Sequence, residues 1–214
     1  MTLTFHGYWR SGTSYRVRLA LALKGVAYDQ VTHDLRRGEQ RAPGYRALQP
    51  QGLVPALDTG PDGDGAVLTQ SPAILEWIEE RYPDPPLLPA SPVDRAVVRA
   101  MAALIACDVH PLNNLRVLNA LRADFAADDA EVNAWIARWI GDGFAALELM
   151  VQRHGAGFAF GDAPTLADCH LVPQLYAAER FAVDLAPYPA LVAAGGRLRA
   201  LAPAAHPDAQ PDAG

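Results

Sequence analysis

Apolar and polar residues follow two different periods along the first part of the chain, and each predicts an element. The segment LTFHGYW, residues 3–9, is typical of a strand, and the segment 28–35 alternates apolar and polar positions. Residues 14–25 have helical spacing and end at a glycine. A weaker helix is predicted over about 41–48.

A hairpin and a third helix follow. VPALD (54–58) and AVLT (66–69) flank the turn DGDG (62–65), which predicts an antiparallel hairpin. In QSPAILEWIEERY we expect Ser71 at the N-cap and Pro72 at the first helical position, where its missing N–H costs nothing. The order βαβ and then ββα predicts a small open α/β sheet over residues 1–82.

The composition then changes. PDPPLLPASP (83–92) is predicted to be a linker, because proline lacks the N–H donor and fixes φ. Residues 93–214 show no strand pattern and predict an all-helical domain whose first long helical stretch is kinked at Pro111. The Pro- and Ala-rich tail from about 203 is expected to be mobile. Further helices are predicted over about 129–153, 165–181 and 189–201, the second opening with a capping-box-like arrangement of Thr165 and Asp168.

Composition and charge narrow the class of protein. Half of the 214 residues are hydrophobic, and the formal net charge of −6 argues against a nucleic-acid partner. No apolar run approaches the roughly 18 residues of a membrane span, and no secretion signal is recognised, so we expect a cytoplasmic protein without a membrane partner. The histidines lack metal-ligand spacing, so no metal is predicted, and Cys107 and Cys169 are interpreted as buried free thiols.

Small hydroxyl residues gather just before the first helix. One of Ser11, Thr13 and Ser14 is enough to cap it, and Gly12 would let a ligand approach the backbone. Donors at a helix N-terminus also lower the pKa of a thiol, but neither cysteine lies nearby in the sequence. A thiolate held here would therefore come from a ligand, and simple capping is the alternative.

Three further features are compatible with a ligand site. A cis Val54-Pro55 bond would expose the Val54 backbone, although an ordinary turn proline is the alternative. The helix start at Gln70-Ser71 attracts carboxylates or is simply capped. In CDVHPLNNLRVL, the pairs His110/Asn114 and Asn113/Arg116 have the spacing of helical neighbours, which favours a polar cleft, a core histidine or an exposed face.

These segments together resemble the cytosolic glutathione transferases, over roughly residues 3 to 205. RSGTSYRVRLALALKG is similar to the zeta-class motif in which Arg-Ser-Ser-Cys precedes a Ser-x-Arg-Val-Arg helix, and NNLRVL, TLADCHLVPQ and ERFAVDLAPYP also look zeta-like. The resemblance implies a thioredoxin-like domain followed by an all-α domain. Gly12 and Thr13 replace the Ser and Cys of the motif, as in the bacterial maleylpyruvate isomerases of this class.

The resemblance also implies glutathione as the cofactor and a role for each matching residue. Ser11 and Thr13 would face the sulfur, and Arg10 and Arg180 would receive the carboxylates of a small dicarboxylate substrate. The residues implied to bind the cofactor or line its cleft are Gln40 and Gln51 at the glycyl end, Val54 at the cysteinyl backbone, Gln70 and Ser71 at the γ-glutamyl carboxylate, and His110, Asn114 and Arg116.

The implied activity is glutathione-dependent cis–trans isomerisation of maleylpyruvate to fumarylpyruvate in gentisate breakdown. Maleylacetoacetate isomerisation in tyrosine breakdown, conjugation of small α-halo acids and a non-catalytic glutathione-fold scaffold or sensor are the alternatives. We also expect a homodimer, because the family is dimeric and because an apolar face is predicted around Leu53 and Leu57.

Overall fold

Four strands form one mixed sheet in the computed structural model, which describes residues 3–63 and 65–211. The strands lie in the order β2-β1-β3-β4. They are β1 (Leu3–Gly7), β2 (Tyr28–Thr32), β3 (Ala56–Asp58) and β4 (Val67–Thr69). β1 and β2 are parallel, whereas β1–β3 and β3–β4 are antiparallel, so the predicted βαβ and ββα units are confirmed. Asp64, in the predicted hairpin turn, lies outside the described residues.

Three helices belong to the same unit: α1 (Gly12–Leu23), α2 (Pro43–Leu48) and α3 (Ser71–Arg81). α1 packs against α3. Fully buried side chains from these helices and from the sheet form the core, among them Phe5, Tyr15, Leu19, Leu57, Ile74 and Ile78. The prediction of Ser71 as the N-cap is wrong by one residue: Gln70 is the N-cap, and Ser71 is the first helical residue.

The second unit is helical, as predicted. Its helices are α4 (Pro92–Ala103), α5 (Leu115–Phe125), α6 (Asp129–His154), α7 (Leu166–Arg180) and α8 (Pro189–Leu201). The predicted capping box of α7 is present, and the Asp168 carboxylate accepts hydrogen bonds from the Thr165 N–H at 2.9 Å and from the Thr165 hydroxyl at 2.8 Å. The stretch Pro92–Phe125 is long and apolar enough to span a membrane by those two measures alone, but its α4 part packs against α7, as a core helix does.

The chain between α4 and α5 is broken rather than kinked. A π-helical segment (Leu104–Val109) and a 3₁₀ turn (His110–Asn113) follow α4, and Asn114 then adopts an extended conformation and caps α5. The break is stabilised by the Asn114 side chain, which accepts a hydrogen bond from the Arg116 N–H at 3.1 Å. The prediction that His110/Asn114 and Asn113/Arg116 are neighbours on one helix is therefore wrong.

The C-terminal segment belongs to the first unit. That unit comprises Met1–Pro86 and Leu201–Gly214, and the second comprises Leu87–Ala200, so the boundary after Pro86 falls inside the predicted linker. Two 3₁₀ turns, Pro203–Ala205 and Pro207–Ala209, replace the predicted mobile tail over the described residues. They are held because the Ala205 carbonyl accepts a hydrogen bond from Arg18, 187 residues earlier.

Two predictions about burial are also corrected. Leu57 is fully buried in the core of the first unit, so it does not contribute to an exposed apolar face. Cys107 is exposed, and only Cys169 of the two free cysteines is buried. Both errors have one cause: an apolar pattern shows which residues favour burial, but not how much of each the neighbouring elements cover.

Candidate active site

The N-terminus of α1 is organised by a chain of hydroxyl groups. Ser11 is the N-cap, and its oxygen accepts a hydrogen bond from the Ser14 N–H at 3.3 Å. The Ser11 and Thr13 hydroxyl oxygens are 2.9 Å apart, and Thr13 donates to the Val54 carbonyl at 2.9 Å. The structure therefore brings together three of the residues that the sequence predicted.

The direction of each bond in this chain follows from the chemistry of its last member. A carbonyl oxygen only accepts, so the single hydroxyl proton of Thr13 is committed to Val54. The bond between the two hydroxyls must then be donated by Ser11. Ser11 thus holds the proton that is more easily redirected to an incoming anion, because it leaves a neutral hydroxyl rather than a backbone carbonyl.

The segment before β3 presents its backbone between these hydroxyls and α2. The Val54–Pro55 peptide bond is cis. The Tyr45 hydroxyl donates to the Leu53 carbonyl at 2.6 Å. Burial raises the pKa of Tyr45, so that this side chain stays neutral and remains a donor. Residues 53 and 54 are therefore anchored by side chains from α2 and α1 respectively.

The N-terminus of α3 carries a second polar group. Gln70 has a positive φ of 69°, and its side-chain amide donates to Gln51 at 2.8 Å. Both glutamine side chains are exposed, whereas Ser71 is only 2% exposed. Arg16, from α1, donates to the Ser71 hydroxyl at 3.3 Å. The first N–H groups of a helix favour a negatively charged ligand, so this end of α3 is suited to a carboxylate.

Gln40 lies close to the Gln51 segment. Its backbone carbonyl is so near Gly52 that an added Cβ there would lie 3.0 Å from it, and Gly52 has a φ of +64°. The Gln40 side chain is buried, and its Oε1 atom has no hydrogen-bond partner among the described residues. A buried amide oxygen without a donor suits a ligand that brings an N–H group, such as a peptide.

The three arginines near the hydroxyl chain occupy different environments. Arg10 is half-buried, with its guanidinium 5.3 Å from the centre of the Trp9 ring. Arg16 and Arg18 are buried in α1. Arg18 donates to the Trp9 carbonyl at 2.9 Å and so supports the backbone that leads to Ser11. Sequence reasoning assigned no role to Arg16 or Arg18, although two arginines inside an apolar helix were a signal of buried polar contacts.

The remaining predicted residues belong to the second unit. His110 and Asn114 stand at the start and just beyond the end of the 3₁₀ turn, and Arg116 is exposed in the first turn of α5. Arg180 is exposed at the end of α7, with its guanidinium 4.6 Å from the centre of the Phe181 ring. The carboxylate of its neighbour Glu179 is bound by Arg199 at 2.8 and 2.9 Å. Within residues 3–63 and 65–211, no group of three acidic, His or Cys side chains is placed to hold a metal ion.

Comparison with known proteins relates this geometry to a family. Residues 10–81 match the family described as glutathione S-transferase, N-terminal domain. A maleylpyruvate isomerase of Ralstonia sp is 52% identical over 96% of this chain and 99% of its own length. The holo structure of a maleylpyruvate isomerase, described as a bacterial zeta-class glutathione S-transferase, superposes with a TM-score of 0.95 at 49% identity, covering 99% of this chain and all of that one. The chain belongs to the zeta-class glutathione transferases.

Other zeta-class relatives carry a second name. A maleylacetoacetate isomerase of Pseudomonas aeruginosa is 50% identical to this transferase over 98% of each chain. The structure of a maleylacetoacetate isomerase from Anaeromyxobacter dehalogenans, with bound dicarboxyethyl glutathione and citrate, has a TM-score of 0.89 at 45% identity, covering all of this chain and 98% of that one. Relatives with either name are thus similar to this transferase along its whole length.

Proposed function

We propose that this zeta-class transferase is a glutathione-dependent cis–trans isomerase that converts maleylpyruvate to fumarylpyruvate. The observation that carries the proposal is the hydroxyl chain from Ser11 through Thr13 to Val54, at the N-terminus of α1. It offers a donor for a thiolate in a chain that is 52% identical to a maleylpyruvate isomerase.

The residues of the first unit fit the parts of glutathione. The Val54 backbone would pair with the cysteinyl residue, and Gln70 and Ser71 would hold the γ-glutamyl carboxylate at the N-terminus of α3. Gln51 and Gln40 would lie at the glycyl end. The unpartnered Oε1 of Gln40 supports this assignment, because glutathione has amide N–H groups to offer it.

The protein has two tasks in the reaction: to keep the sulfur ionised and to bind the substrate's carboxylates. When bound, glutathione would supply a thiolate nucleophile for the cis double bond, whose electron pair would move onto the conjugated carbonyl, allow rotation about the resulting single bond and return as the thiolate leaves. Ser11 would redirect its hydroxyl proton from Thr13 to the sulfur as a hydrogen bond, while Thr13 remains bonded to the Val54 carbonyl. The position of Ser11 at the N-terminus of α1 also favours the ionised form of the sulfur.

Arginine suits the second task, because its planar fork binds a carboxylate through two hydrogen bonds. Arg10 and Arg180 would bind the two ends of the dianion, and His110, Asn114 and Arg116 would line the cleft. The overall charge of −6 opposes a dianion, so the site needs locally concentrated positive charge.

Arg180→Ala should lower kcat/KM by about thirty- to a thousand-fold, which is the loss of ~2–4 kcal/mol, while glutathione affinity stays unchanged. Near wild-type kcat/KM would show that Arg180 is not a substrate residue.

Maleylacetoacetate is the second candidate substrate, because the Pseudomonas aeruginosa relative of that name is 50% identical. The Gly12-Thr13 pair favours maleylpyruvate, because this pair resembles that of the bacterial maleylpyruvate isomerases. An absorbance assay of both cis acids, with and without glutathione, tests the choice. We expect turnover only with glutathione and a higher kcat/KM for maleylpyruvate. A thioether product would instead identify a conjugating transferase, and glutathione binding without turnover would identify a binding protein.

Assembly and location complete the proposal. We expect a cytoplasmic two-fold homodimer, because that is the assembly implied by the resemblance to the family. Sedimentation at micromolar protein concentration tests the assembly. A single species of 22.9 kDa would contradict it.

A further inference from the structure

Arg16 donates a hydrogen bond to Ser71, which is assigned above to the γ-glutamyl carboxylate. It projects from α1 and is 2% exposed, and its Nη1 atom lies 3.3 Å from the Ser71 Oγ atom. A guanidinium donates and never accepts, so the Ser71 oxygen is the acceptor in this bond. The proton of the Ser71 hydroxyl is therefore not used by Arg16.

We propose that Arg16 is a positioning residue that turns the proton of Ser71 toward the γ-glutamyl carboxylate of glutathione. The inference rests on the proposed function, since it requires glutathione at the N-terminus of α3. It adds Arg16 to the residues assigned to the glutathione site, as one that acts through Ser71 rather than by touching glutathione. Arg16 donates to a lone pair of the Ser71 oxygen and so fixes the orientation of the hydroxyl, which leaves the hydroxyl proton of Ser71 to be donated to the ligand.

The geometry at the start of α3 gives Arg16 this role. A serine at the beginning of a helix commonly turns its oxygen toward the free N–H groups of the first turn. Here the N-cap is Gln70, which makes no side-chain cap bond, and Ser71 is the first helical residue. Arg16 holds the Ser71 oxygen from the side of α1, which leaves the first N–H groups of α3 available to the same carboxylate.

Lys24 provides a matched control, because it is a second buried cation between the same two helices. It is the C-cap of α1, and its ammonium donates to Glu79 of α3 at 2.6 Å and to the Pro85 carbonyl at 2.7 Å. Glu79 is eight residues from Ser71, or ~12 Å along the helix. Lys24→Met should therefore lower stability without changing the N-terminus of α3.

The test is a double-mutant cycle read by calorimetric titration with glutathione. Arg16→Met and Ser71→Ala should each weaken binding about tenfold, as expected for a hydrogen bond to a charged group, and the double variant should bind no more weakly than Ser71→Ala alone. With a glutathione analogue whose γ-glutamyl carboxylate is an amide, the Arg16→Met effect should largely disappear. At saturating glutathione, the kcat of Arg16→Met should equal that of wild type, and Lys24→Met should bind glutathione within about twofold of wild type.

The inference would be overturned if the losses of glutathione affinity in Arg16→Met and Ser71→Ala multiply in the double variant. It would also be overturned if Arg16→Met loses as much affinity for the amide analogue as for glutathione. If Arg16→Met does not fold, Arg16→Lys replaces it in the same cycle, with an expected loss of about threefold that again disappears beside Ser71→Ala. Absence of glutathione binding to the wild-type protein would refute the proposed function itself. Wild-type binding without coupling would refute only the role of Arg16.

Discussion

The hydroxyl chain predicts opposite effects on the thiol pKa for substitutions of its two hydroxyl residues, Ser11 and Thr13. Ser11→Ala removes the proton that would be redirected to the sulfur. Thr13→Val instead removes the acceptor that now holds that proton and leaves Ser11 free to donate. We therefore expect the pKa of the bound glutathione thiol to rise in Ser11→Ala and to stay level or fall in Thr13→Val.

The magnitude follows from the bonds that are exchanged. A hydrogen bond to a charged group contributes about 1.5–3 kcal/mol, and a neutral hydroxyl–hydroxyl bond about 1 kcal/mol. Redirecting Ser11 from Thr13 to the sulfur therefore gains about 0.5–2 kcal/mol, or about 0.4–1.5 pKa units. In Thr13→Val, Ser11 has no bond to Thr13 to break before it donates to the sulfur. This saves about 1 kcal/mol, so the pKa of the glutathione thiol should fall by at most about 0.7 units relative to wild type.

Ultraviolet titration of the thiolate in the complex measures both shifts. Ser11 also caps α1, so Ser11→Gly is the control: glycine is a better N-cap than alanine, and it should raise the pKa as Ser11→Ala does while losing less stability. Thr13→Val also removes the donor to the Val54 carbonyl, which should weaken glutathione affinity without raising the pKa. An equal rise in Thr13→Val and Ser11→Ala would refute the assigned proton directions.

Three predictions concern stability. Asp168→Ala leaves the N–H groups of Ala159 and Thr165 without their buried acceptor, so urea unfolding should show a loss of about 2–6 kcal/mol, whereas Thr165→Ser should retain most of the stability. Burial raises the pKa of Asp168 from 3.8 to about 6, so its contribution to stability is full below pH 3.8 and is lost as the pH rises through 6. The stability advantage of wild type over Asp168→Asn should thus be larger at about pH 4 than at about pH 7.5, and a difference that grows with pH would contradict this. Ending the chain after Ala202 removes the Ala205 carbonyl from Arg18 and should lower the free energy of unfolding by about 1–3 kcal/mol, and an unchanged urea midpoint would show that the segment is not stabilising.

Local patterns predicted most of the fold. The hairpin of β3 and β4 follows from two short apolar runs around glycines, and the start of α7 follows from Thr165 and Asp168 three residues apart. In both cases the residues that determine the structure are close together in the chain. The residues themselves predicted a candidate ligand site at the hydroxyls and at the starts of β3 and α3, and the resemblance to the glutathione transferases then implied glutathione as the ligand.

Longer-range contacts set the remainder, which the sequence did not reveal. The break at residues 104–114 depends on how those turns pack against α6 as well as on Pro111. The order of the C-terminal segment depends on a carbonyl facing an arginine 187 residues away. The proton directions at Ser11 and Thr13 depend on a carbonyl of another segment, so no spacing within RSGTS contains them.

The bond between Arg18 and Ala205 also has a consequence for the order in which the protein is made. At about 5–20 residues per second, a ribosome needs roughly 10–40 s to add the residues between these two partners. The whole helical unit is synthesised in that interval. Helix α1, which leaves the ribosome early, must therefore wait for the acceptor of Arg18, and the first unit is completed after the second, against the usual N-terminal-first order of folding.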